Sequence, residues 1–182
     1  MDIYAKNGKD KERYKMAKII AAHPACGKSY YAQHHTNAID LEYSHYAWIE
    51  DENGKKIKNL YGDKIPNYAF PRNYIEAISK THEKIDYNKY DYIDYIFITS
   101  HEAILKELVQ LKIPVTVVIP HIELHEQWEQ RFKQRGDDVP FIHQQMGNWY
   151  TWLTEIKANK ENFEELIELN EDEYISDIIE KL

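Results

Sequence analysis

The chain has 182 residues, 43% hydrophobic and 30% charged, with a formal net charge of −8. That length reads as one domain with enough chain to bury a core, and the composition excludes wholesale disorder, a collagen and a disulfide scaffold. The charge excludes an overall basic field for duplex nucleic acid, no stretch approaches the ~20 apolar residues of a membrane span, and the single cysteine, Cys26, fits a reducing compartment, so a cytoplasmic protein is expected.

Residues 1–16 are polar and read as an arm, and residues 17–182 as a single domain. Ala17–Ala22 (AKIIAA) suits a strand buried on both faces and is too short for a signal peptide. His23-Pro24-Ala25-Cys26-Gly27-Lys28-Ser29 follows, then a helix through His34. Ala38–Leu41 is a second short strand with carboxylates at Asp40 and Glu42. Residues 43–70 are irregular, with a turn signal at Asp51-Glu52-Asn53-Gly54 and room for a small hairpin or loop. Pro71 opens a helix carrying Ile75, Ile78 and Ile85 on one side.

Tyr92–Thr99 (YIDYIFIT) is a strong strand, and Ser100 is expected to cap a helix over His101–Gln110. Pro114–Ile119 is another buried strand. His121–Arg135 reads as a helix stopped by Gly136, with Leu124, Trp128 and Phe132 as its apolar stripe. One further helix over Pro140–Ala158, a strand at Glu165–Leu169 and a closing helix at Glu171–Lys181 complete the chain. Strand then helix, about five times over, predicts an α/β fold: three layers, with a five-stranded parallel sheet and helices on both faces.

The segment Ala22–Ser29 sits between a predicted strand and a predicted helix. It matches the phosphate-loop pattern G-x-x-x-x-G-K-[ST], with Ala22 in place of the first glycine. Alanine costs little there where no positive φ is needed. Backbone groups of Pro24, Ala25, Cys26, Gly27, Lys28 and Ser29 would surround phosphates. Gly27 permits close approach, Lys28 supplies a cation and Ser29 a hydroxyl for Mg²⁺. A chance Gly-Lys-Ser in a helix-starting turn is the bland alternative. The strand at Phe97-Ile98-Thr99-Ser100-His101 lacks the aspartate of many phosphate-loop ATPases, which argues against a motor or helicase.

With these features the sequence resembles the P-loop nucleoside and nucleotide kinases, broadly the nucleoside monophosphate kinase group, including small phage-type deoxynucleotide kinases. The likeness spans about residues 17–182. The resemblance implies ATP as donor, Mg²⁺ as cofactor and a small nucleotide as acceptor, with an acceptor region over about 42–86 and a helical lid over about 121–150. By position, Asp40 resembles the acidic residue that holds Mg²⁺ or accepts the acceptor's proton, a solvated loop acid being the ordinary alternative for it and for Glu42. Arg72 resembles the arginine that clamps the acceptor, with Asn73 and Tyr74 beside it. Arg131 and Arg135, four apart on one helix face, resemble the lid arginines that close over the transferring phosphoryl group. A basic face on an amphipathic helix is the alternative.

His121 and His125 do not have the order of a zinc motif and no third ligand is evident. Cys26 is oxidation-sensitive only if the helix start favours its thiolate. The chain is therefore expected to be an ATP- and Mg²⁺-dependent kinase of a deoxynucleoside monophosphate, monomeric or homodimeric. The alternatives are a kinase of a hydroxyl acceptor (a nucleoside, a small metabolite or a polynucleotide 5′ end) and a nucleotide-binding regulator without turnover. Richness in Lys, Ile, Asn and Tyr is that of a chain encoded by an AT-rich genome.

Overall fold

The computed structural model describes residues 17–86 and 93–181. The arm at 1–16 and part of the tyrosine-rich approach to the third strand lie outside the described residues. Five strands, β1 (Lys18–Ala22), β2 (Ala38–Asp40), β3 (Tyr95–Thr99), β4 (Thr116–Pro120) and β5 (Glu165–Leu169), form one sheet in the order β2-β3-β1-β4-β5. Every neighbouring pair is parallel. The strands read as continuous apolar runs because both faces of the sheet are covered: Ile20, Phe97, Val117 and Ile119 are all fully buried.

The helices are α1 (Lys28–His34), α2 (Ser44–Ala47), α3 (Arg72–Asp86), α4 (Glu102–Gln110), α5 (His125–Arg135), α6 (Val139–Gly147), α7 (Trp149–Ala158) and α8 (Ile175–Ile178). They lie on both sides of the sheet, α1 packing with α8 and α3 with α4. Right-handed crossovers account for that division. The step from β1 out to β2 and the steps back through β3 to β4 run in opposite directions, so their helices fall on opposite faces.

The local differences from expectation have local causes. His101, not Ser100, caps α4, its ring nitrogen accepting the Ala103 N–H at 3.3 Å. The expected helix over Pro140–Ala158 is two helices broken at Asn148, whose amide donates back to Gln144 O. The closing helix is a single α-turn followed by a 3-10 turn at Ile179–Lys181. Segment 48–66 is a narrow antiparallel meander, bridged at Trp48–Pro66, Glu50–Lys56 and Lys58–Lys64. Each of its tight turns is tied by one side chain. Asp51 accepts the N–H groups of Asn53 and Lys55, and Asn59 those of Tyr61 and Asp63. Gly54 and Gly62 take the left-handed conformation each turn requires. Among the described residues no helix is long and apolar enough to cross a membrane.

Candidate functional site

The loop from Ala22 to Ser29 leaves the carboxyl end of the central strand, the edge at which open α/β sheets bind ligands. Ala22 is the last residue of β1, in register with Thr99 and Val118 and fully buried. It has ordinary strand backbone, which is why alanine serves where the pattern asks for glycine. The left-handed positions are Ala25 (φ 65°) and Gly27 (φ 96°) instead. A Cβ on Gly27 would also stand 3.4 Å from the Tyr174 ring.

The loop is tied down from several directions. The His23 N–H donates to Val118 O, and the Ile175 N–H donates to Cys26 O at 2.9 Å. The Trp128 indole N–H donates to Pro24 O at 2.9 Å. Inside this frame, Lys28 Nζ curls back to donate to Ala22 O at 2.8 Å and His23 O at 3.4 Å. Ser29 Oγ donates to Asp40 Oδ2 at 2.6 Å. The other carboxylate oxygen, Asp40 Oδ1, is buried and has no hydrogen-bond partner.

Burial raises the Asp40 pKa, opposed by the Ser29 hydrogen bond and the Lys28 charge and reinforced by Glu42. Burial pulls the Lys28 ammonium down, opposed by the nearby acids Asp40 and Glu42. The Cys26 thiol is fully buried and pushed up to about 12 by desolvation. It is therefore an inert small side chain rather than a redox-sensitive one.

His23 is 3% exposed, its ring edge-on to Trp149 at 5.6 Å, and its Nε2 is without a partner. Burial, with the charges of Lys28 and Arg135, pulls its pKa down to about 3. An unfolded histidine titrates near 6.5. Between those limits the unfolded chain binds one more proton than the folded one, so stability rises with pH there and is lost as pH falls. Replacing His23 by Leu is expected to remove about 1.4 kcal/mol per pH unit from the acid limb of stability below pH ~6, measured by urea unfolding across pH.

Helix α5 carries both candidate arginines, and the structure separates them. Trp128, Arg131, Phe132 and Arg135 lie on one face, but only its far end reaches the surface. Arg131 is 7% exposed, its guanidinium between the Trp128 ring at 4.0 Å and the Tyr174 ring at 3.9 Å. Its Nη1 donates to Glu173 O at 3.0 Å. It joins α5 to the C-terminal segment, its Nη2 is buried without a partner, and its charge, like that of Arg135, is felt by Cys26 of the loop. Arg135, at the C-terminal end of the helix, pairs with Asp137 at 2.6 Å and keeps 44% of its side chain exposed. Its charge is felt by His23, Cys26 and Lys28.

A cleft of about 1260 Å³ opens beside the loop. It is lined by His23 and Pro24 of the loop, by the rings of Tyr43, Trp48 and Phe70, and by residues of α4, α6 and α7. Thr99, Ser100 and His101, where an aspartate is usual, line it too. Of the acceptor-side residues expected from the sequence, Glu42 is exposed and accepts the Ser44 N–H at 3.2 Å. Arg72 is exposed and is not among the residues lining the cleft. Tyr74 is fully buried. Its hydroxyl donates to Leu41 O at 2.5 Å and accepts the Thr99 N–H at 3.2 Å, bracing β2 against β3. That is a framework role rather than an acceptor contact.

Sequence reasoning gave no role to Gln145, which is 8% exposed, lines the cleft and leaves Oε1 unpartnered. Nothing in a one-dimensional pattern distinguishes such a glutamine from a solvated one. His121 caps the turn after β4 and His125 stacks on Tyr150; no cluster of metal-ligating side chains occurs among the described residues.

Comparison with protein-family models and with curated proteins returns no match.

Proposed function

We propose that the protein is an ATP- and Mg²⁺-dependent phosphotransferase whose acceptor is a small nucleobase-bearing molecule held in the cleft. The observation that carries this reading is the loop constellation: Lys28 folded across the loop carbonyls, and Ser29 bonded to the half-buried Asp40, whose other oxygen is enclosed and unpartnered. A hydroxyl and a carboxylate are the hard oxygen donors that Mg²⁺ prefers, so Ser29 and Asp40 fit that ion. Bound there, it would neutralise charge on the donor phosphates.

The chain's own residues divide the remaining work. Lys28, released from Ala22 O and His23 O, would pair with the terminal phosphates of ATP, and the backbone over 24–29 would surround them. Arg135 would exchange Asp137 for the transferring phosphoryl oxygens, where a guanidinium fork stabilises spreading charge. The terminal phosphoryl group leaves ADP and forms a bond to an acceptor oxygen. With a deoxynucleoside monophosphate, the first-choice acceptor, that oxygen is already ionised and no base is needed.

One observation favours a second reading, a neutral hydroxyl acceptor. Among the described residues, Lys106 is the only lysine or arginine lining the cleft, and it is paired with Glu102. An acceptor phosphate would find little to clamp it, and a polynucleotide 5′ end still less. A hydroxyl acceptor must give up a proton, and Asp40, with its pKa raised by burial, is the base beside the loop.

The test is ADP release from Mg-ATP against ribo- and deoxynucleoside monophosphates, nucleosides and a 5′-hydroxyl oligonucleotide, with Lys28→Ala as control. Stimulation by one small acceptor, absent in the control, is the expected result. Tight ATP binding with no stimulation by any acceptor would replace the enzyme by a nucleotide-binding regulator.

A further inference from the structure

We infer that His23 and Gln145 together read the polar edge of the acceptor's base, and so set its identity. The inference rests on the cleft being the acceptor site. The two side chains come from unrelated parts of the fold, one from the loop after β1 and the other from α6. Both are more than nine-tenths buried, both line the same cleft, and each holds one polar atom, Nε2 or Oε1, without a partner. Trp149, which opens α7 just beyond the break that ends α6, has the His23 ring edge-on to its own at 5.6 Å.

Buried polar atoms are normally satisfied, and leaving one bare is unfavourable by about 1–3 kcal/mol. Two unpartnered atoms on side chains that line one cleft, each enclosed in the unliganded chain, mark where a ligand's complementary groups belong once those side chains turn toward it. The chemistry of those groups can be narrowed. Gln145 Oε1 accepts, so the ligand must bring an N–H or O–H to it. His23 is uncharged at neutral pH, so it offers a directional hydrogen bond and does not call for an anion. The rings of Tyr43, Trp48 and Phe70, which line the same cleft, suit the flat face of a heterocycle. A planar, uncharged ring with an N–H on its edge meets all three requirements. A nucleobase is such a ring; a sugar or a phosphate is not.

The experiment is equilibrium binding by calorimetry to the full chain. The four deoxynucleosides and their monophosphates are compared, together with an analogue of the preferred base whose edge N–H is blocked by methylation. ATP affinity is measured alongside. Wild-type protein is expected to prefer one base, and methylation or the volume-conserving Gln145→Met is expected to weaken that base by about tenfold to a hundredfold. The same substitution should collapse the ratio between bases and leave ATP affinity and melting temperature in place. A general packing defect would not change that ratio. An unchanged ratio in Gln145→Met, indifference to methylation, or no binding of any base would overturn the inference. Methylation probes the wild-type chain and so stands even if the variant fails to fold. Loss of the phosphotransferase reading is a separate result, visible as failure to bind ATP while base recognition persists.

Discussion

Asp40→Asn is expected to stabilise the protein and disable it. The carboxylate is held largely out of water, with Oδ1 unpartnered and only Ser29 as a direct donor. Its pKa in the folded chain lies above the ordinary value because burial disfavours the charge. The native state therefore holds a proton that the unfolded chain releases first. Stability falls as pH rises through that window, and at neutral pH the ionised group opposes folding. Asparagine keeps an acceptor for Ser29 and removes the charge, so the variant should melt higher at pH 7 and lose that part of the pH slope. With a hydroxyl acceptor its turnover should drop by about 10²–10⁴-fold, the usual worth of a positioned base. With a monophosphate acceptor the drop should be smaller. A lower melting temperature together with unchanged turnover would refute the assignment of Asp40 to the site.

The arginines of α5 should separate just as sharply. Arg131→Ala removes a cation held between the Trp128 and Tyr174 rings and leaves Glu173 O without its donor. A loss of about 3 kcal/mol is expected, in the range for a buried charged group taken from its partners. For a chain of this size each kcal/mol is about 2–4 °C in Tm. Arg135→Ala removes a half-exposed side chain paired with Asp137 and lying 5.6 and 5.8 Å over the Phe132 and Phe141 rings, and its stability should fall by no more than about 1 kcal/mol. Its kcat should fall by about 10³-fold, as for an arginine lost from a transferring phosphoryl group. Thermal melts and initial rates on both variants decide the matter. Equal effects on both properties in both variants would remove the distinction between a framework arginine and a functional one.

Much of the fold was legible because parallel strands buried on both faces are short apolar runs with few rivals. Glu165–Leu169 is a strand over the range expected, and Thr116–Pro120 lies almost within its predicted run. Gly136 ends α5 in the left-handed conformation anticipated from its place after Arg135. The break at Asn148 was hidden because apolar residues continue at helical spacing on both sides of it. The second turn of the meander was hidden because Asn59-Leu60-Tyr61-Gly62 carries fewer turn residues than the first.

In the candidate site, the loop's place between β1 and α1 follows from its motif. The hydrogen bond from Ser29 to Asp40 and the contrast between the arginines do not. A spacing of four says that Arg131 and Arg135 share a face, but only the tertiary structure says that this face is covered at one end and open at the other. Tyr74 illustrates the same limit, since its hydroxyl serves two backbone groups far apart in sequence.

The loop around Gly27 is anchored by β4, by α5 and by the segment leading into α8, parts of the chain that become neighbours only when folding is complete. Its shape is therefore set before any ligand arrives, and little chain entropy is left for binding to remove. The same anchoring denies the loop a life of its own. It has no small cooperative unit in which to open and close, and trimming the chain before Ile175 would release one of its ties. A designer wishing to graft this loop elsewhere would have to carry most of the domain along with it.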